Sequence, residues 1–259
     1  MSFTSERDLG ELAERLSGSE RLILLLDYDG TLVSFASLPD LAAPDGFLLE
    51  LLGALEQRSG TEVHLVSGRD RQTLERWLGH LPISLYAEHG FWSRERGADA
   101  WTALHEIPEN WKVRVMPLFL DFANLTPGAF VEEKSASMAW HYRLADPELG
   151  ESAARGLRDA LAVSLADVPL QVITGDHVVE VRLGDANKGI VVARVTQGAT
   201  CAVVAMGDDT TDEDMFAALP PGAISIHVGP AKSRATWRVG SPADVRSFLA
   251  SLLVVPNRP

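Results

Sequence analysis

Cysteine is almost absent: Cys201 is the only one in 259 residues. No internal disulfide is available and no paired-cysteine metal knuckle exists, so the fold rests on a packed core and suits a reducing compartment. Positive charge is also scarce. Lysine and arginine number 23 against 36 acidic residues, a formal net charge of −13. That balance argues against nucleic acid or an anionic membrane as a partner, because both call for a clustered basic surface. A small anion is bound only where local cations or a metal overcome the global field. No apolar run approaches membrane-spanning length, and the opening MSFTSERDLGELAERL carries acidic residues where a secretory signal has a basic start and an apolar core. The expectation is a cytoplasmic protein. Repeats and low-complexity linkers are missing too, which leaves periodicity and punctuation to reveal the organisation. Oligomeric state is left open, with a monomer the simplest case.

What is present is an ordinary globular composition, 46% hydrophobic and 23% charged, long enough for a large core split over two domains. Three short apolar runs stand out: LILLL from Leu22, VHLV from Val63 and AVVAM from Ala202. Each stops at a polar, glycine-containing turn: DYDGT, SGRD and GDDTTDED. Runs of this kind, alternating with helical segments such as Phe47 to Gln57 and Ile190 to Val195, predict buried parallel strands in an α/β sheet. Ligands of such sheets bind beyond the carboxyl ends of the strands, where all three polar clusters fall.

The middle of the chain has a different grammar. Glu109 to Phe122 shows helical spacing at Trp111, Val115, Leu118 and Phe122, interrupted by Pro117. GAFVEEKSASMAWHYRL follows, with Met138, Trp140, Tyr142 and Leu144 alternating against Ala139, His141 and Arg143 in the period of a strand. A second helix is predicted from about Glu151 to Ala166, with Leu157, Leu161 and Leu165 on one stripe. PLQVITGDHVVEVRL then sets Glu180 and Arg182 on the face opposite Val179, Val181 and Leu183. Helix, hairpin, helix, hairpin predicts a small antiparallel sheet with helices on one side and a free polar face on the other, inserted between two halves of the parallel domain.

The acidic turns make chemical sense together as a site for phosphoryl transfer from a monoester. Uncatalysed hydrolysis of such esters is so slow that enhancements can reach on the order of 10²¹, so charge must be neutralised and a nucleophile positioned. A carboxylate can attack phosphorus, and a second one nearby can protonate the leaving alcohol and then activate water. Asp27 and Asp29, two apart in extended backbone, point to one side and offer that pair. Gly30 permits a tight turn and a close approach of backbone to phosphate, and Thr31 holds the turn. Two carboxylates repel a phosphate unless a hard cation intervenes, and Mg²⁺ suits oxygen ligands drawn from one or two carboxylates. Asp27 and Asp208 are the candidate metal carboxylates, with a backbone carbonyl near Asp29; Asp209 and Asp212 stand behind them. Ser67, with Gly68 and Arg69 beside it, and Lys188 supply donors to phosphate.

Each segment alone has a plainer reading, as an acidic turn, a surface lysine or a helix cap with Thr211 or Asp212 at the cap position. The ordered set DYDGT, SGR, NKG, GDDTTDED resembles the haloacid dehalogenase superfamily. More narrowly, DYDGTL, VSGR, AEHG, VEEKSASMAWHYR, VVEVRLGDANKG and ATWRVGSPADVRSFLASL resemble its trehalose-6-phosphate phosphatase family. That resemblance implies a Rossmannoid parallel-sheet core over 1–105 and 185–259 with an inserted α+β cap over 106–184 that closes over it. It further implies a Mg²⁺-dependent phosphatase whose substrate is a sugar phosphate, with Glu132, Lys134, Glu180 and Arg182 contacting the sugar. Leu183 departs from the pattern, which has proline there. Two alternatives stay open: a phosphatase of another glycosyl phosphate, such as a sucrose, glucosylglycerol or mannosyl derivative, and a non-catalytic phospho-receiver or sugar-phosphate sensor.

Overall fold

The first helix is started by a side chain: the Ser5 hydroxyl accepts the Asp8 N–H at 3.2 Å and opens α1 (Glu6–Ser17). The computed structural model describes residues 3–36, 38–106, 110–184 and 187–254. After α1 come β1 (Leu22–Leu26), α2 (Gly46–Gln57), β2 (Thr61–Val66), α3 (Arg71–Leu78), β3 (Ser84–Ala87), β4 (Trp92–Arg94) and β5 (Thr102–Ala103). The insert holds α4 (Trp111–Leu125), β6 (Phe130–Glu133), β7 (Ser137–His141), α5 (Pro147–Ser164), β8 (Leu170–Gly175) and β9 (Val178–Leu183). The chain then returns through α6 (Lys188–Thr196), β10 (Ala202–Gly207), α7 (Thr210–Ala217), β11 (Ile224–Val228), β12 (Trp237–Val239) and α8 (Pro242–Ser251). Two compact units result, Met1–Leu104 with Asn187–Pro259, and His105–Ala186. None of the helices among the described residues is long and apolar enough to cross a membrane.

In the first unit the strands lie in the order β12-β11-β10-β1-β2-β3-β4-β5, parallel as far as β3 and antiparallel over the last two. All five residues of β1 are buried, because both faces of the sheet are covered. Leu22, Leu24 and Leu26 pack with Leu16, Leu48, Leu52, Leu78 and Phe248 from the helices of one face. Ile23 and Leu25 pack with Val191, Val192, Met215 and Phe216 from α6 and α7 on the other. Each such side chain contributes about 1.5–3 kcal/mol of burial. The strand order reverses at β1, which has β10 on one side and β2 on the other.

In the second unit β6-β7-β9-β8 form an antiparallel sheet. Met138, Trp140, Val179 and Val181 pack against Trp111, Val115 and Phe119 of α4 and Leu157 and Leu161 of α5. Trp140 thus serves this core. The apolar stripe of α4 centres on Trp111, Val115 and Phe119, and the predicted Leu118 and Phe122 are partly buried against the same cluster. The helix continues past Pro117, whose place is on an exposed face where the freed carbonyl can bond water. Its predicted start at Glu109, like Asp185 at the predicted return to the core, lies outside the described residues.

Two further expectations need correction. The strand through Trp140 stops at His141, so Leu144 lies outside it and is 56% exposed. The helix after GDD is capped by Asp209, whose side chain accepts the Thr211 N–H, while Asp212 reaches back to the Asp209 N–H in a capping box. The polar face of the small sheet carries the charged side chains Glu132, Lys134, Glu180 and Arg182, with the small Ala139 between them.

Candidate active site

Register brings the acidic turns together. Leu26 of β1 lies opposite Met206 of β10 and Leu65 of β2, so Asp27, Gly207 and Val66 leave the sheet at one height. One residue further along the two flanking strands come Asp208 and Ser67. Lys188, the first residue of α6, is set by Asn187, whose side chain caps the helix through the Gly189 N–H. The Lys188 ammonium donates to Asp27 Oδ1 and to Asp212 Oδ1, both at 2.6 Å. The other Asp212 oxygen accepts the amides of Asp208 and Asp209 at 2.9 and 3.1 Å. Thr31 donates its hydroxyl to Asp208 Oδ1 at 3.3 Å, a link across the site where a turn-holding role had been expected.

Glycine is required at position 30 for two reasons. Its φ is +79°, and a Cβ there would stand 2.2 Å from Asp208 Oδ2. The Gly30 N–H closes the turn onto the Val33 carbonyl at 2.7 Å, and the Asp208 carboxylate takes the space a Cβ would fill. At Gly68 the neighbour is His89: a Cβ would meet its imidazole at 2.7 Å. Backbone bonds from His89 N–H to the Ser67 carbonyl and from Glu88 N–H to the Arg69 carbonyl, each 2.9 Å, fasten the SGR loop to that turn. Ser67 accepts the Arg69 N–H at its hydroxyl oxygen at 3.1 Å, which leaves its proton to be donated. The Arg69 guanidinium grips Asp29 at both oxygens, Nε to Oδ2 at 2.7 Å and a terminal nitrogen to Oδ1 at 2.6 Å.

Asp27, Asp208 and Asp212 each place a carboxylate oxygen within 4.8 Å of one another. Burial is the main cause that raises the Asp27 pKa well above the carboxylate range, joined by the charges of Asp212 and Asp208 and opposed by Lys188. Asp208 is pushed up to about 7, again by burial and then by Asp212 and Asp209. For Lys188, burial opposes the charge, but Asp212 and Asp27 outweigh it and raise the pKa. For Asp209, burial is likewise overcome, by Lys188 and the Thr211 donors, and the pKa falls. The cluster carries more negative charge than one ammonium balances. Asp27 Oδ2 is buried without a hydrogen-bond partner, while both Asp212 oxygens are taken. An oxygen-seeking divalent cation fits this set, with Asp27 and Asp208 as its carboxylates and Asp212 fixing the lysine and the loop.

The other sugar-site candidates stand on the small sheet. Glu132, Ala139 and Glu180 form one row across β6, β7 and β9. Lys134 Nζ lies 3.6 Å from Glu132 and 4.0 Å from Glu180, bridging the row above Ala139. His141 Nε2 is 2.8 Å from Glu132, and its ring stacks on Phe130 with centroids 4.8 Å apart. Burial opposes the Glu132 charge, yet the His141 hydrogen bond and Lys134 prevail and hold it at about 2. Arg182 follows Glu180 on the same face, opposite Ser137. The place of His141 in the alternation, off the Met138/Trp140 face, is the sequence signal that sets it among the charges.

An open sheet whose order reverses at its central strand, helices on both faces and acidic turns at the carboxyl edge define a haloacid dehalogenase-like fold. A haloacid dehalogenase-like hydrolase from Bacteroides thetaiotaomicron shares it at TM-score 0.63 and 14% identity, over 89% of this chain and 98% of that one. The family model described as Trehalose-phosphatase matches residues 25–246, and the chain belongs to that family. It is similar to the bifunctional trehalose-6-phosphate synthase/phosphatase of Thermoproteus tenax, 41% identical over 97% of this chain and 34% of the relative. The chain therefore spans about a third of that relative's length. The C-terminal domain of a C. albicans trehalose-6-phosphate phosphatase superposes at TM-score 0.89 with 30% identity, over 98% of both chains.

Proposed function

We propose that the chain is a Mg²⁺-dependent phosphoric monoester hydrolase that converts trehalose 6-phosphate to trehalose and phosphate through an aspartyl-phosphate intermediate. The observation that carries this reading is the Asp27 carboxylate at the end of the central strand, one oxygen held by the buried Lys188 and the other unpartnered. That carboxylate attacks phosphorus. Asp29 gives a proton to the departing sugar oxygen and later takes one from the water that opens the phospho-aspartate. Lys188 and the Ser67 hydroxyl stabilise the transferring group. When bound by Asp27, Asp208 and the Asp29 carbonyl, Mg²⁺ supplies charge neutralisation at the phosphoryl oxygens.

Substrate choice is assigned to the charged row of the small sheet, where Glu132 and Glu180 offer carboxylates to sugar hydroxyls and Lys134 and Arg182 offer donors. Similarity to proteins named for this substrate supports the assignment. The test is phosphate release from trehalose 6-phosphate, sucrose 6-phosphate, glucosylglycerol phosphate and a mannosyl phosphate, with and without Mg²⁺. The expected result is metal-dependent turnover, fastest with trehalose 6-phosphate and abolished by Asp27→Asn. Metal-dependent turnover that survives this substitution would remove the proposed nucleophile. A single phosphorylation without further cycles would instead favour a receiver.

A further inference from the structure

We infer that Arg69 is a positioning residue for proton transfer, holding the Asp29 carboxylate in one orientation, and not a ligand of the substrate through that edge. The inference rests on the mechanism given above. Two parallel bonds, at 2.7 and 2.6 Å, engage both Asp29 oxygens with the Nε edge of the guanidinium, a geometry only arginine provides. The arginine is itself braced. Its guanidinium lies 5.0 Å from the centroid of the Trp77 ring, and its side chain is 13% exposed. Its backbone N–H is bonded to Ser67 Oγ and its carbonyl accepts the Glu88 N–H. Glu88 and His89 sit at φ 50° and 59°, a left-handed conformation that costs about 1–3 kcal/mol per residue and persists only where the surroundings enforce it. The SGR loop is thus fixed from both sides, and what it presents to Asp29 is a rigid fork. Asp29 lies just past the strand, in a turn, and the fork supplies the orientation that β1 does not.

The chemistry gives this role a distinctive signature. In ester cleavage the bond from Asp27 to phosphorus forms, the bond from phosphorus to the ester oxygen breaks, and the proton on Asp29 passes to that oxygen. An alkoxide leaving group needs this proton, whereas a nitrophenolate leaves without it. Single-turnover cleavage, which reads the first step alone, is therefore to be measured with trehalose 6-phosphate and with p-nitrophenyl phosphate at saturating Mg²⁺. The proteins are wild type, Arg69→Ala, Arg69→Lys, Asp29→Asn and the Asp29→Asn/Arg69→Ala double variant. For Arg69→Ala the expected loss is about 30-fold or more on the sugar ester and less than about 3-fold on the aryl ester. Arg69→Lys, which keeps the charge and loses the fork, should fall between. In the Asp29→Asn background, removing Arg69 should cost nothing further on the sugar ester. Equal losses on both esters, or additive losses in the double variant, overturn the inference. A wild-type protein that cleaves neither ester overturns the proposed function, and the inference with it.

Discussion

At the residue scale the site is decided by a few close pairs of opposite charge, and Lys188 is the centre of them. Its side chain is 3% exposed between Asp27 and Asp212, at 6% and 0%. Removing one partner of a buried ion pair is far more damaging than replacing the pair, because the other charge is left uncompensated. Lys188→Ala is expected to lower stability by about 3 kcal/mol, read from urea unfolding, and to abolish Mg²⁺-dependent phosphate release. An activity loss with unchanged unfolding would mean that the lysine serves phosphate alone. The residue types at the centre were legible: aspartates after an apolar run, a lysine before a helix, a serine after a strand. Their partners were not. Lys188 was read as a phosphate donor, and its two carboxylate contacts lie 161 and 24 residues away in the chain. The guanidinium of Arg69, expected beside the substrate, grips Asp29, 40 residues distant.

Elements hold these pairs in place, and one tether runs from the last helix to the nucleophile loop. Arg246 of α8 donates through Nε to the Leu32 carbonyl at 2.7 Å and pairs with Asp45 at 2.5 Å. Asp45 also caps α2 through the Leu48 N–H at 2.8 Å. Leu32 follows Thr31, whose hydroxyl reaches Asp208, so the tether attaches one residue from the partner of a proposed metal ligand. Arg246→Ala is expected to cost about 1.5 kcal/mol in unfolding free energy, the worth of a charged hydrogen bond, and to raise the Mg²⁺ concentration needed for half-maximal phosphate release. Stability lost with an unchanged metal requirement would confine the tether to a structural role. Helix α2 was legible from Phe47 to Gln57, and it begins at Gly46 after the Asp45 cap. The cap's second partner, Arg246, belongs to a segment 201 residues further on, and no local pattern announces it.

Across the whole molecule, stability depends on pH through buried groups that pull in opposite directions. His64 and His227 lie in β2 and β11, 6% and 2% exposed; the His227 ring nitrogens have no hydrogen bond, and His64 Nε2 lies 3.8 Å from the Glu62 carboxylate, whose charge opposes burial without overcoming it. Burial lowers the pKa of both, assisted at His227 by Arg238. Unfolded histidine takes up a proton near about 6.5, whereas the folded rings do so only at lower pH. Their contribution is complete above about 6.5 and is lost as pH falls from there through the folded values. The raised carboxylates Asp27, Asp208 and Asp212 act the other way, so the histidine part must be read as a difference. Urea midpoints of wild type and the His64→Gln/His227→Gln double variant, compared at about pH 7.5 and 5.5, should show the wild type losing more on acidification. Parallel losses would assign the effect to other groups. By itself the sequence determined what periodicity and punctuation encode: an α/β core interrupted by an antiparallel insert, apolar strands ending in acidic turns, and helices close to their observed bounds. Those features follow from local propensity and from burial on alternating faces, which neighbouring residues specify. Only the tertiary structure decided which charges meet and why glycine stands at position 30. These depend on strand order and register, with β1 between β10 and β2, and the contacts that fix them join residues far apart in the chain.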